Sequence, residues 1–578
     1  MELLLAAVLF LVPPPAEGGT GLAVRASFAP PVSAQRPDSA RVRRDLREAQ
    51  RRFERIRVQN LPWRWSSPGG RCDERVGRMC FWHSNSGRDQ DWSPPEEAEA
   101  IIQAREELLA ELAEGAEIIP GDGWVLGQRV HYLGEAGRWM EAADLAGRCG
   151  PAAAWWCHAL RGMALHGARL YPEAEEAFRE ALSRMPPSQA AEWEDPRLLV
   201  DGGGSSLLSP GADPDTVRAR RERFWLLADP LYLVPGNDRL TEHFARHTAS
   251  LIREEARNPH GISWGRDMTE LLLRYGAEVG WERTRPSVGD IQGSVVGKQD
   301  PRGREYVPPG AYLEDPFAIA EGDWELTPPF PRSTFSTHYA PIIRPFEAQF
   351  AAFRRGDSLL VVSGYRVPAD SLEGTPQSGL FLHPKARHPG WESRREDGEG
   401  VLVLQAPGLA QLVGLEVLDE EGARAWRARH GIRLPAIPPD LAALSDLILL
   451  GPPGESARTL TEAAPHALPG TILEGARQVV VGWEVYGIHT REGVGFELSV
   501  APAPGGLLRR AGEWLRVVPR EAGTRTAWEE PGHEERGPLF RALSLDLGDL
   551  PPGRYLLRVV ATLPGRGSVE TIRELELR

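Results

Sequence analysis

The chain has 578 residues, enough for several domains at roughly 100–200 residues each. With 41% hydrophobic and 26% charged residues, each domain can build a core without help from metal or disulfide. The net charge of −14 argues against nucleic acid as a partner, because phosphate binding needs a clustered basic surface.

Leu3 to Val12 is an unbroken apolar run, too short to span a bilayer, and Pro13-Pro14-Pro15 ends it. Val32-Ser33-Ala34 supplies a small-residue cleavage point, although Glu2 stands where an export leader carries Lys or Arg. Residues 1–34 are therefore expected to be a leader cut near Ala34, leaving a periplasmic or secreted protein with no transmembrane span. The four cysteines agree with export. Cys72 and Cys80 enclose seven residues, and so do Cys149 and Cys157. Four cysteines allow three pairings, of which the local bridges 72–80 and 149–157 are the first expectation. A zinc site calls for shorter spacings, and Cys80-Phe81-Trp82-His83 offers too few ligands.

A charged helix is predicted over 35–57, starting at Ser39, followed by an aromatic segment with Trp63, Trp65, Cys72, Cys80 and Trp82. After Pro94-Pro95, the spacing of Ile101, Ile102, Leu108, Leu109 and Leu112 predicts a second helix. Residues 154–186 then read as two helices that approach closely through Gly162, Ala174 and Ala181, with Leu165 and Phe178 between them and Pro186 at the end. This stretch resembles a tetratricopeptide repeat, and Gly137 to Ala142 begins a weaker copy 32 residues upstream, near the period of that family. The resemblance implies a helical-repeat region over about 122–187, within a helical region at 35–200. The Gly- and Ser-rich stretch 201–215 is expected to be a linker.

Residues 216–285 open a further helical unit. Phe224-Trp225 and Asp229-Pro230 precede a polar helix, and a turn with Trp264 and Asp267 feeds an apolar element that stops at Tyr275-Gly276. Over about 224–285 this resembles the bacterial GWxTD domain, whose pattern is Gly-Trp-x-Thr-Asp, eight residues with an apolar run, and Gly. Trp264, Asp267, Tyr275 and Gly276 fall in register, whereas Ser263 and Arg266 replace the Gly and Thr. The resemblance implies a family without a known reaction. Trp264 is expected to be a buried anchor and Asp267 to cap the following helix.

Residues 286–344, rich in Pro, Gly and Tyr, are expected to form an extended connection that wraps a neighbour. From 345 the texture becomes β, giving a β-rich domain at 345–434 and a C-terminal β-sandwich at 435–578. Leu550-Pro-Pro-Gly-Arg-Tyr555, with alternating Leu557, Val559 and Ala561, resembles the turn and final hairpin of an immunoglobulin-like sandwich. In strand 478–485, Trp483 and Val485 should face one side and Glu484 and Tyr486 the other.

Few groups promise chemistry. His243 and His247 lie one helical turn apart and could bind a metal, but Glu242 precedes the first where a zincin helix has Glu after it. They read as surface histidines. Gly293 to Gln299 lacks one residue and the Ser or Thr of a phosphate loop, and Pro453 removes an amide donor from Gly451 to Ser456. The runs Glu96-Glu97, Glu175-Glu176 and Asp419-Glu420-Glu421 read as solvated. Trp155, Trp156, Trp264, Trp281, Trp324, Trp391 and Trp483 read as packing, with a glycan platform as the alternative. The expected fold is multidomain, α then β, and no cofactor is called for. The expected function is a non-catalytic extracytoplasmic scaffold that binds a protein or peptide through its helical repeats. A metal-assisted hydrolase using His243, His247 and a distant carboxylate, or a glycan-binding module, are the alternatives.

Overall fold

The computed structural model describes residues 39–64, 72–83, 92–150, 153–209, 211, 213–285, 294–320, 324–384, 386, 390–438, 441–475, 478–503, 524–532 and 537–578. The expected leader at 1–34 lies outside them, as do Trp65 and Gly293.

The first half is helical because its apolar residues recur every three or four positions. Helices α1 (Ser39–Asn60) and α2 (Glu99–Ile118) share a core of Leu46, Phe53, Leu108 and Leu112. Two hairpins follow: α3 (Gly123–Glu135) with α4 (Trp139–Gly147), and α5 (Ala154–Gly167) with α6 (Tyr171–Arg184). Asp122 fixes the start of α3 by accepting from the Trp124 and Val125 amides. The pairs are copies at one period, since Glu135 and Gly167 end their first helices, and Trp139 and Tyr171 begin their second, at intervals of 32 residues. Close approach of α5 and α6 follows from small side chains, as expected. A Cβ on Gly162 would lie 2.8 Å from the Phe178 ring, and Ala174 and Ala181 are fully buried.

Next come α7 (Pro187–Trp193), α8 (Gly202–Leu207), α9 (Pro214–Ala228), α10 (Asp238–Glu254) and α11 (Arg266–Tyr275). Helix α10 packs on α5, α6 and α3, continuing the stack. The stretch 201–215 is not a plain linker. Asp201 accepts from the Gly204 amide and caps α8, whose glycines alone predict a loop, and Leu208 is fully buried behind it. Nor is 286–344 wholly extended: it holds strand Val295–Lys298, paired with Gly280–Thr284, and helix α12 (Gly310–Glu314). Tyr306, Leu313 and Phe335 bury themselves with Phe224, Leu227 and Leu231 between the helices and the first sheet. Ile342–Arg344 is already a strand of that sheet, three residues before the expected boundary.

Two immunoglobulin-like β-sandwiches form the second half. In the first, one sheet has the order Trp391–Arg395, Gln377–Pro384, Ala410–Asp419, Arg424–Arg433, Ile342–Arg344. Its partner sheet is Glu399–Pro407, Ser358–Arg366, Ala348–Arg355. Leu380, Leu382, Val413, Leu415 and Trp426 point into the space between the sheets, while Phe381, Leu412 and Leu418 point at the helices. In the second, Gln478–Tyr486 is central to one sheet, and Gly553–Leu563 lies between Val494–Pro502 and Gly567–Leu577 in the other. Tyr555, Leu557, Val559 and Ala561 all face the core, and the Tyr555 hydroxyl donates to the Pro551 carbonyl at 2.6 Å. Trp483 and Val485 join that core, whereas Glu484 and Tyr486 face the first sandwich, where Arg355 donates to Glu484 at 2.7 and 2.9 Å. Asp419, expected to be solvated, is fully buried because it accepts from the Gly422 and Glu373 amides and closes the loop beside it.

The helical and β halves meet on buried charge. After α9, Arg429 donates to the carbonyls of Leu227, Asp229 and Pro230, and to Glu416 at 2.8 Å. Arg427 donates to the Pro230 carbonyl, and Glu416 accepts from the Leu233 amide. Glu416 is fully buried, and Arg429 is its ion-pair partner. Replacing Arg429→Ala should therefore lower stability by about 3–5 kcal/mol in urea unfolding, and Arg429→Met combined with Glu416→Leu should recover only part of that loss, because the carbonyls of Leu227, Asp229 and Pro230 still lack their donor.

Candidate functional site

The two disulfides are Cys72–Cys80 and Cys149–Cys157, with Cα atoms 5.5 and 5.8 Å apart. The first closes a hairpin of strands Glu74–Val76 and Met79–Phe81, which by itself is too small to be stable. The hairpin seizes α11. Glu74 pairs with Arg274 at 2.6 Å and accepts from the Tyr275 hydroxyl at 2.6 Å, and Phe81 stacks on Tyr275 with ring centroids 3.9 Å apart. At its tip, Arg78 grips Asp267 through Nε and Nη2 at 2.7 and 2.8 Å and through its backbone amide at 3.1 Å. Asp267 is consequently not the helix cap. Gly265 is the cap residue and makes no side-chain bond; Asp267, the second residue of α11, accepts from the Met268 amide at 3.0 Å and serves the hairpin as well. The hydrogen bond from Arg78 holds its carboxyl well below the usual carboxylate range, against a smaller opposing effect of burial.

Trp264 is half-buried, not a core anchor, and its indole N–H donates to the Ser250 and Thr269 hydroxyls at 3.2 and 3.0 Å. Phe224 is fully buried and meets Trp225 edge-on at 4.8 Å. Gly276 stops α11 at φ 84°, where a Cβ would lie 2.9 Å from the Arg246 guanidinium. Gly261-Ile262-Ser263-Trp264-Gly265 also spells a Gly-x-Ser-x-Gly sequence. It follows helix α10, whereas a nucleophile elbow follows a strand, and the Ser263 carbonyl serves Arg78.

His243 and His247 are buried, which corrects their reading as surface residues. His243 donates from Nε2 to the Trp193 carbonyl at 2.8 Å, and the His247 ring stacks on Trp193 at 5.2 Å. Burial pushes both imidazoles down, His247 to about 3. Their rings meet edge-on at 84°, and among the described residues no three His, Cys, Asp or Glu side chains are placed to hold a metal. Of the seven tryptophans considered for a glycan platform, Trp391 is exposed, and Trp155 meets Trp156 edge-on at 63°.

The space that joins these elements is a cleft of about 470 Å³. Its walls are the inner helices α3, α5 and α10 on one side and the segments 272–279 and 300–338 on the other. Equivalent positions of the two hairpins line it in pairs: His131 with Met163, Gly134 with His166, Glu135 with Gly167, and Trp139 with Tyr171. Trp139 fits there because a Cβ on Gly134 or Gly167 would come within 2.4 Å of its ring. Met163, Ala245, Ala249 and Leu272 give the cleft apolar ground.

Its acids are each matched by an arginine. Glu135 pairs with Arg57, Glu242 with Arg246 at 2.7 Å, Glu278 with Arg253 at 3.1 Å, and Asp300 with Arg302 at 2.8 Å. Burial is the largest single effect and opposes ionisation of Glu135 and Glu278, but Arg57 with His131 and Arg105, and Arg253 with His260, together outweigh it and bring both carboxyls to about 2. Arg246 also donates to the carbonyls of Leu273, Arg274 and Thr334, tying α10 to the far wall. His166 lies 2.7 Å from Glu242 through Nε2 and 2.9 Å from the Thr241 hydroxyl through Nδ1. That connectivity imitates an acid–base–nucleophile chain, yet Thr241 is fully buried and its hydroxyl points back to the Asp238 carbonyl at 3.1 Å. The Tyr171 hydroxyl is 2.8 Å from His338, whose imidazole burial and the nearby Arg169 lower to about 4. Neither His166 nor His338 stands out in the sequence; the 32-residue repeat, which sets His166 against Gly134, is the signal that could have found the first.

Compared with known proteins, the chain matches no protein-family model and no curated protein. Solved structures give matches of low similarity. The FN1–FN3 domains of chicken CNTN1 align at 11% identity and TM-score 0.14, over 41% of this chain and 69% of that one. The receptor tyrosine kinase Torso, solved for neurohormone perception, aligns at 7% and 0.12, over 40% and 73%. Red sea bream transglutaminase aligns at 11% and 0.13, over 41% of this chain and 32% of that one. At these scores the matches say nothing of activity.

The Arg78–Asp267 contact has a pH signature. Because the folded carboxyl is depressed, its contribution to stability is complete above the unfolded value of about 4 and is lost as pH falls toward the folded value. Urea unfolding at stepped pH should show a loss of stability below about pH 4 that is smaller in Arg78→Gln than in the wild type.

Proposed function

We propose that this is an extracytoplasmic, non-catalytic binding protein of the GWxTD-domain type, with tetratricopeptide-like hairpins, whose cleft takes a short extended segment of a protein partner. The observation that carries the reading is the lining of the cleft. Paired positions of two helical hairpins face a common space, and the acids there are already matched with arginines of the same chain. Such a surface holds its shape and offers apolar ground between polar edges, which suits recognition of a chain that needs both. Its volume is in the range of about 300–1,000 Å³ common to ligand sites. Two bridges over short loops support an oxidising compartment, outside the cytoplasm. The register of Trp264, Asp267, Tyr275 and Gly276, with Asp267 and Tyr275 both engaged by one disulfide-closed hairpin, supports the family reading.

Ala249 lies on α10 in the cleft, so Ala249→Trp fills it. Panning a displayed random-peptide library on the wild-type protein should enrich a defined sequence set. Those peptides should bind Ala249→Trp at least tenfold more weakly by fluorescence anisotropy, at an unchanged melting temperature. Absence of enrichment, or equal binding to both proteins, refutes the reading.

A further inference from the structure

Arg169 stands at the turn between α5 and α6 with φ 68°, a left-handed backbone that costs a non-glycine residue free energy. The first hairpin meets the same turn with Gly137 at φ 73°, 32 residues earlier. The fold therefore accepts glycine at this place, and arginine is held there against local preference. Arg169 lines the cleft, and its guanidinium is near enough to His338 and Tyr171 to act on their titration.

Charge matching points the same way. The cleft acids Glu135, Glu242, Glu278 and Asp300 each have an arginine partner, and none of those partners is Arg169. Arg246 and Arg253, the other arginines of the lining, are engaged by Glu242 and Glu278. Among the described residues Arg169 has no ion-pair partner, and it is exposed. His166 and His338 line the cleft with it, and the acid bonded to His166, Glu242, is also held by Arg246.

We propose that Arg169 is the anion-recognising residue of the cleft and that the ligand presents it with a carboxylate, either a free C-terminus or an Asp or Glu side chain. A guanidinium binds a carboxylate through two parallel N–H···O bonds, and it does so best where no internal acid competes. This inference rests on the cleft as the binding site proposed above and adds the chemical class of what occupies it.

The test uses the full chain and mixed-sequence N-acetyl tetrapeptides in four pools, with a C-terminal acid or amide and with or without Asp and Glu, followed by ligand-observed NMR. Binding of acids but not amides identifies the terminal carboxylate, and binding of Asp- and Glu-containing pools in both forms identifies the side chain. In either case Arg169→Gly should weaken the preferred pool at least tenfold while the melting temperature stays level or rises, because glycine relieves the turn. Arg169→Lys should retain part of the binding. Equal binding of carboxylate-bearing and carboxylate-free pools, or wild-type affinity in Arg169→Gly, overturns the proposal. Loss in Arg169→Gly with no effect of Ala249→Trp would leave the carboxylate site standing and remove the peptide cleft; the reverse would remove the carboxylate site alone.

Discussion

The architecture depends on carbonyl oxygens that a helix end leaves without donors. Where α9 stops, Pro230 can supply no N–H, and the oxygens of Leu227, Asp229 and Pro230 turn towards the first β-sandwich. Arg427 and Arg429 reach out of the sheet to meet them, and Glu416 beneath balances the charge. Each partner is needed by the others, since a buried guanidinium without acceptors and buried carbonyls without donors are both costly. The junction thus fixes the α half on the β half by polar satisfaction as much as by apolar contact. Tyr232 and Phe381 seal it, and Gly414 leaves room for the Tyr232 ring.

A second dependence runs through the Cys72–Cys80 hairpin. It contributes almost no core of its own, yet Glu74, Arg78 and Phe81 reach Arg274, Asp267 and Tyr275 on α11. Tyr275 and Gly276 in turn form part of the far wall of the cleft. A covalent clip some 190 residues away in sequence (Arg78 and Asp267 are 189 apart) therefore sets where that wall stands.

Much of this order is written locally. The hairpins at 123–184 follow from small residues at helix crossings and from helix spacing, and the alternation of Tyr555 to Ala561 gives the face of its strand directly. What escapes local reading is set by partners distant in sequence. The Gly-rich segment 202–207 looks like a loop until Asp201 caps it. Asp267 keeps one amide of the first turn, but a hairpin 189 residues earlier makes the larger claim on its carboxylate. His243 and His247 look solvated on a helix full of charge, because nothing nearby announces that Trp193 and Trp225 cover them. The cleft is assembled from five separated stretches, so its residues cannot be picked out singly. Only the internal repeat ties some of them together.

The polar links between the two sandwiches carry a mechanical meaning. Gln349 bonds the Leu449 and Leu468 carbonyls, Asp446 accepts from the Ala352 amide, and Arg355 holds Glu484. All these links start from the one strand Ala348–Arg355, and Phe353 and Val362 pack against Ile448, Leu450 and Val480 along the same seam. A pull on the last strand would meet Arg573, which donates to the Phe350 carbonyl of the first sandwich and the Leu447 carbonyl of the second, so load on the C-terminal strand is shared by both modules at once.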